Sequence, residues 1–224
     1  MKNLILLHGA IGSKDQLADL KNLLAPHYRV FDFNFSGHGG KPVTGDFSIP
    51  AFAEEVRLFM VENQIDIADF FGYSMGGYVA LYLAMNHPHL VNRVTTLGTK
   101  FAWDPATAEK EMKMLNPEKI AEKIPHFAAA LESRHQPVDW KLVLHKTAGM
   151  LHGLGNGQAV ALDQWAQVQH PVLICLGDDD QMVTREESTA VATTLPNGRF
   201  HLLPNSKHPI EQVNLNELVN VLMG

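Results

Sequence analysis

One cysteine in 224 residues is the chain's first shortage, and a single thiol can form no internal disulfide. Cys175 lies in the apolar run Pro171 to Leu176, where a thiol behaves as a small buried hydrophobe. Charge of one sign is also scarce: 18 basic and 24 acidic residues leave a net charge of -6, with no block of like charges. A nucleic-acid backbone or an anionic membrane is therefore not the expected partner. No apolar stretch is long enough to span a bilayer, and Leu4 to Leu7 is too short for the core of a signal peptide. The expected location is the cytoplasm, where the glycosylation-like Asn34-Phe35-Ser36 is a coincidence. Missing too are H-E-x-x-H, paired Cys and His spacings, a G-x-G-x-x-G after a strand, and a Walker loop. No metal, nucleotide or other cofactor is expected.

What is present has a regular order. Leu4 to Leu7 and Tyr28 to Phe33 read as buried parallel strands, separated by a helical pattern at Leu17, Leu20, Leu23 and Leu24. A second helix is expected over residues 49–63, with Phe52, Val56, Phe59 and Met60 on one face. It feeds the run Ile67 to Phe71. A third helix follows Ser74 and stops before Pro88, and Leu90 to Leu97 forms the next strand. From Gly98 to Gln169 the alternation stops, and helices broken by Pro105, Pro117, Pro125 and Pro137 are expected. That segment carries Trp103, Met112, Met114, Phe127, Trp140, Met150 and Trp165, some of which should face a site. Alternation resumes with a strand at 171–176, a helix near 185–195, a strand at 199–203 and a terminal helix near 209–222. The expectation is one α/β domain over residues 1–224: a mostly parallel sheet of about six strands flanked by helices, from 1–97 and 170–224. A helical cap of about 98–169 is inserted after the strand ending near residue 97.

Gly72-Tyr73-Ser74-Met75-Gly76 places one serine between two glycines, after an apolar run and before a helical pattern. A strand that turns within two residues into a helix strains the serine and leaves no room for side chains two positions to either side. A serine hydroxyl is a poor nucleophile at neutral pH and needs a base within reach, a task matched by neutral imidazole. Of twelve histidines, only His208 follows the last strand with a helical pattern behind it. The imidazole in turn needs a carboxylate on its other nitrogen, and Asp178, Asp179 and Asp180 stand together after the strand at 171–176.

His8-Gly9, Gly37-His38-Gly39, the serine elbow, the acidic loop and His208, in that order, resemble the α/β-hydrolase fold family, in particular its small cap-bearing esterase and lipase-like members. The resemblance covers essentially the whole chain. It implies Asp180 as the acid, three residues after Gly177 and just before a hydrophobic-Val element, with Asp178 as the fallback. It implies an oxyanion hole from the backbone N–H groups of Met75 and Ala10, and a structural His8. The chain departs from the family at Lys207, where a glycine is usual, and at Asn34 and Ser36, where Asp and Pro are usual. The family's first one or two edge strands have no counterpart before Leu4. The implied activity is hydrolysis of carboxylic esters or related acyl compounds through an acyl-enzyme, on a small acyl substrate with an apolar part. Serine in place of aspartate argues against dehalogenase and epoxide hydrolase chemistry. The alternatives are a carbon–carbon bond hydrolase or lyase, demoted because Tyr78 stands near the usual arginine of the menaquinone-pathway lyases, and a ligand receptor with little turnover.

Overall fold

The computed structural model describes residues 1–224. Six strands, β1 (Lys2–Leu7), β2 (Tyr28–Asp32), β3 (Ala68–Tyr73), β4 (Val91–Leu97), β5 (Val172–Gly177) and β6 (Gly198–Leu203), form one sheet in the order β2-β1-β3-β4-β5-β6. All five pairings are parallel. Buried neighbours along each strand divide between two covered faces, because side chains alternate with period two. Ile5, Phe70, Val94 and Ile174 join the larger core with α2 (Ile49–Glu62) and α3 (Met75–Asn86). Leu4, Phe71, Leu97 and Cys175 join the smaller one with α1 (Ala18–Leu24) and α9 (Leu215–Met223). In the first helical pattern Leu17, Leu20 and Leu24 are buried while Leu23 is 43% exposed, so three of the four expected leucines face the core.

Between β4 and β5 run α4 (Pro105–Lys113), α5 (Pro117–Lys123), α6 (Pro125–His135) and α7 (Trp140–Gly153). Here Pro105, Pro117 and Pro125 start helices instead of breaking them. Each sits at the first helical position, where the missing N–H would have had no partner. Asp104 and Asn116 cap two of these starts, accepting from Thr107 N at 2.6 Å and Lys119 N at 2.8 Å.

α8 (Arg185–Thr194) joins β5 to β6. The terminal helix begins later than the sequence suggests, at Leu215, because Val213 is extended and Asn214 caps the helix through Glu217 N. α9 is pinned to the sheet by Arg93 on β4, which donates to Asp69 Oδ2 at 2.9 Å, Tyr28 Oη at 2.6 Å and the Leu222 carbonyl at 2.6 Å.

The order in which strands are added to the sheet reverses at β1, which is flanked by β2 on one side and β3 on the other. In open parallel sheets the crevice beyond the carboxyl ends at such a reversal is where ligands bind. The segments after β1 and β3 hold Ala10 and Ser74.

Candidate active site

Ser74 has φ 51° and ψ -118°, a left-handed conformation that a residue with a Cβ holds only under restraint. Its N–H donates to the Leu97 carbonyl at 2.8 Å, and its own carbonyl accepts from Gly77 N at 3.0 Å and Thr99 Oγ1 at 2.8 Å. A Cβ on Gly72 would overlap the backbone of Gly76 and Gly77, and one on Gly76 would overlap the Leu7 carbonyl. Glycine is thus required by close approach on both sides of the turn.

Asp180 and His208 meet from the loops after β5 and β6. His208 Nδ1 lies 2.8 Å from Asp180 Oδ2, with side chains 11% and 1% exposed. The other carboxylate oxygen, Asp180 Oδ1, accepts from Met182 N at 2.8 Å and Val183 N at 2.9 Å. Burial pushes the Asp180 carboxyl up, but the His208 hydrogen bond and charge and the two amides outweigh it, so it is held below the ordinary carboxylate value. Asp178 instead accepts from Asn205 N at 3.1 Å and Ser206 N at 3.0 Å, fixing the loop that delivers His208. The left-handed residue of that loop is Asn205, at φ 52°, so Lys207 occupies the usual glycine position without strain. Ser74 and His208 line the same cavity and make no hydrogen bond to each other, a bond that commonly tightens only when substrate is present.

The loop after β1 is held from both sides. His8 donates from Nδ1 to the Gly9 carbonyl at 2.8 Å and accepts at Nε2 from Phe35 N at 3.2 Å. Complete burial lowers its pKa to about 4, so it is a neutral brace. Ile11 has φ 52°, an outlier for a β-branched residue. Its carbonyl accepts from Arg134 Nη1 at 2.9 Å and from His135 Nε2 at 3.0 Å, both on α6, while His135 Nδ1 accepts from Gly39 N at 3.2 Å. Ala10 N–H makes no backbone hydrogen bond, and Met75 N–H, first in α3, has no partner within the helix. Both residues line the cavity with Ser74.

That cavity holds about 520 Å³, and 15 of its 25 lining residues are hydrophobic, which suits a substrate with an apolar part. Of the bulky residues between Gly98 and Gln169, Trp103, Met114, Phe127 and Met150 reach it. Trp140 packs with Ile120, Leu131 and Leu144, and Trp165 against Tyr78 and Phe101. Among the lining charges, Lys100 is committed to the Met182 carbonyl at 2.7 Å and to Glu111 at 3.5 Å. No group of three or more His, Cys, Asp or Glu side chains is arranged to hold a metal ion, and no helix is long and apolar enough to cross a membrane. Sequence reasoning missed Thr99, Arg134 and His135. Arg134 and His135 carry no local signal, since 123 and 124 residues separate them from the carbonyl they hold.

The pimeloyl-acyl-carrier-protein methyl ester esterase of Aeromonas hydrophila is 27% identical, over 92% of this chain and 88% of its own length. A Bacillus subtilis protein provisionally named 2-succinyl-6-hydroxy-2,4-cyclohexadiene-1-carboxylate synthase is 26% identical, over 92% and 83%. The solved structure of a thermophilic esterase from Thermogutta terrifontis superposes with a TM-score of 0.80 at 18% identity, covering 100% of this chain and 88% of that one, a likeness of fold. The sequence profile of the alpha/beta hydrolase fold matches residues 2–117, more than half of the chain, and with the six-stranded parallel sheet flanked by helices it shows that the protein belongs to the alpha/beta hydrolase fold family.

Proposed function

We propose that the chain is a serine hydrolase of carboxylic esters or related acyl compounds. The observation that carries this reading is the 2.8 Å contact between His208 and the buried Asp180, opening on the cavity that the strained Ser74 also lines. Ser74 Oγ attacks the ester carbonyl carbon and passes its proton to His208 Nε2. Asp180 stays ionised, holds the ring in the tautomer that leaves Nε2 basic, and stabilises the imidazolium. Charge on the former carbonyl oxygen is met by the N–H groups of Ala10 and Met75, the latter at the positive end of α3. Collapse breaks the ester C–O bond, and the leaving alkoxide takes the proton from His208. Water then attacks the acyl-enzyme with His208 as base, freeing the acid and restoring Ser74. Residues 98–169 act as a cap whose apolar side chains enclose the acyl or alkyl part. The name of the esterase relative supports this substrate class. A lyase reading draws less support, since the Tyr78 hydroxyl already accepts from Val160 N at 2.9 Å.

Labelling with a fluorophosphonate, alongside a series of aryl esters of increasing acyl length, tests the assignment. Ser74→Ala is expected to abolish labelling, and Ser74→Ala and His208→Ala each to lower kcat about 10⁴-fold or more. Unchanged ester turnover in His208→Ala would overturn the mechanism. Labelling with turnover far below about 1 per second would favour the receptor reading.

A further inference from the structure

Two cationic side chains, Lys100 and Arg134, line the cavity, and they are employed differently. Lys100 has a carboxylate and a carbonyl. Arg134 has no ion-pair partner at all, and its only hydrogen bond is from Nη1 to the Ile11 carbonyl. A guanidinium carries five N–H donors in a rigid fork, so most of this fork is unspent while its direction is fixed by the Ile11 anchor. The acid of the cavity wall that acts on Arg134 electrostatically, the exposed Glu211, accepts from Gln16 Nε2 at 2.6 Å through its Oε1 and forms no ion pair with Arg134. Arg134 is half-buried, and burial disfavours its charged form, while Glu211 favours it from a distance. Such a charge is stabilised most by an anion that completes the fork. Gln16, Arg134 and the exposed Glu211 line the cavity beside the Lys100–Glu111 pair, and 15 of the 25 lining residues are hydrophobic, so the cavity offers an unspent guanidinium within a mainly apolar wall.

From this we infer that Arg134 is a specificity-determining residue that receives an oxyanion, carboxylate or phosphate, on the substrate, so that the preferred esters are amphiphilic, carrying an anionic group beside an apolar part. The inference rests on the serine-esterase reading for the reaction but not for the binding. Glu211 tunes it, because its charge competes with the incoming anion for the same guanidinium.

The test uses three ethyl esters matched in chain length, whose far ends are a methyl group, a carboxylate and a phosphate, with kcat/KM followed in a pH-stat. The full chain is expected to prefer at least one of the anionic esters over the methyl-ended ester by about ten-fold or more, and the two anionic arms tell carboxylate from phosphate. Arg134→Met should bring that ratio close to one, Arg134→Lys should restore it in part, and Glu211→Gln should raise it several-fold. The opposite signs at Arg134 and Glu211 separate charge recognition from loss of folding. A ratio at or below one in the unaltered chain, or a preference that survives Arg134→Met, would overturn the assignment. Calorimetric titration of Ser74→Ala with the same esters reads the binding without turnover. Anion-dependent affinity there, with no hydrolysis in the unaltered chain, would sink the esterase reading and keep the anion site; equal affinity for all three would sink the anion site.

Discussion

At the scale of single residues, backbone strain falls on Ser74, the nucleophile of the proposed mechanism. A residue with a Cβ at φ 51° costs on the order of 1–3 kcal/mol relative to a relaxed conformation. Glycine reaches that region freely, and part of the gain is offset by its greater freedom when unfolded. Ser74→Gly is therefore expected to be inactive and more stable by about 1 kcal/mol in urea denaturation. Ser74→Ala should be inactive with almost unchanged stability. Equal stability of the two variants would mean that the elbow stores no strain. The strained turn at Ser74 was legible because its demands are local: two glycines, one serine, a strand before and a helix after. Three adjacent aspartates left the partner of His208 open on residue chemistry alone. The folded chain distinguishes them by direction, Asp180 toward His208 and Asp178 toward the backbone of Asn205 and Ser206.

Elements carry the next set of consequences. Thr184 and Glu187 cap the start of α8 reciprocally, and Glu187 Oε1 also accepts from Phe101 N at 3.0 Å, tying the helix after the Asp180 loop to the segment after β4. Glu187→Ala removes both, with an expected loss of about 1–2 kcal/mol, more than the cap alone, readable as a lower urea midpoint. Asp69 on β3 is buried and pairs with Arg93, which also holds Tyr28 and the end of α9. Asp69→Ala is expected to cost about 2–3 kcal/mol, less than a fully buried pair because Arg93 keeps contact with water. A loss under about 0.5 kcal/mol would show that the pair is merely tolerated. Strands were easy to place because short apolar runs in a doubly covered sheet have few alternatives. The prolines after residue 100 were harder, since proline both stops a helix and starts one, and the caps at Asp104 and Asn116 decide which. The late start of α9 had a local signal that sequence reasoning missed, Asn214 followed three residues later by Glu217 ahead of an apolar run.

For the molecule as a whole, the inserted helices and the sheet meet over three buried imidazoles. His8 and His135 are brought down to about 4 by burial, and His38 is held well below its ordinary value by burial and by His8. Because the folded chain holds these groups neutral and the unfolded chain protonates them near pH 6.5, the unfolded state binds more protons below that value. Stability is therefore full above about pH 6.5 and falls as the pH drops toward about 4, by up to about 3 kcal/mol for each of His8 and His135. Urea midpoints between pH 6.5 and 5, above the range where carboxylates titrate, check this. His135→Gln should flatten the slope, and a flat profile in the unaltered chain would refute it. This meeting was not legible in the sequence, because the partners are joined only by the folded chain. On the proposed mechanism it also sets the timing of the reaction. Arg134 and His135 hang from α6 and end on one carbonyl, so any displacement of α6 from the loop after β1 would release the peptide next to Ala10. A form open enough to admit a bulky ester is, at that moment, one that stabilises charge poorly. Cleavage is thereby confined to a substrate already enclosed.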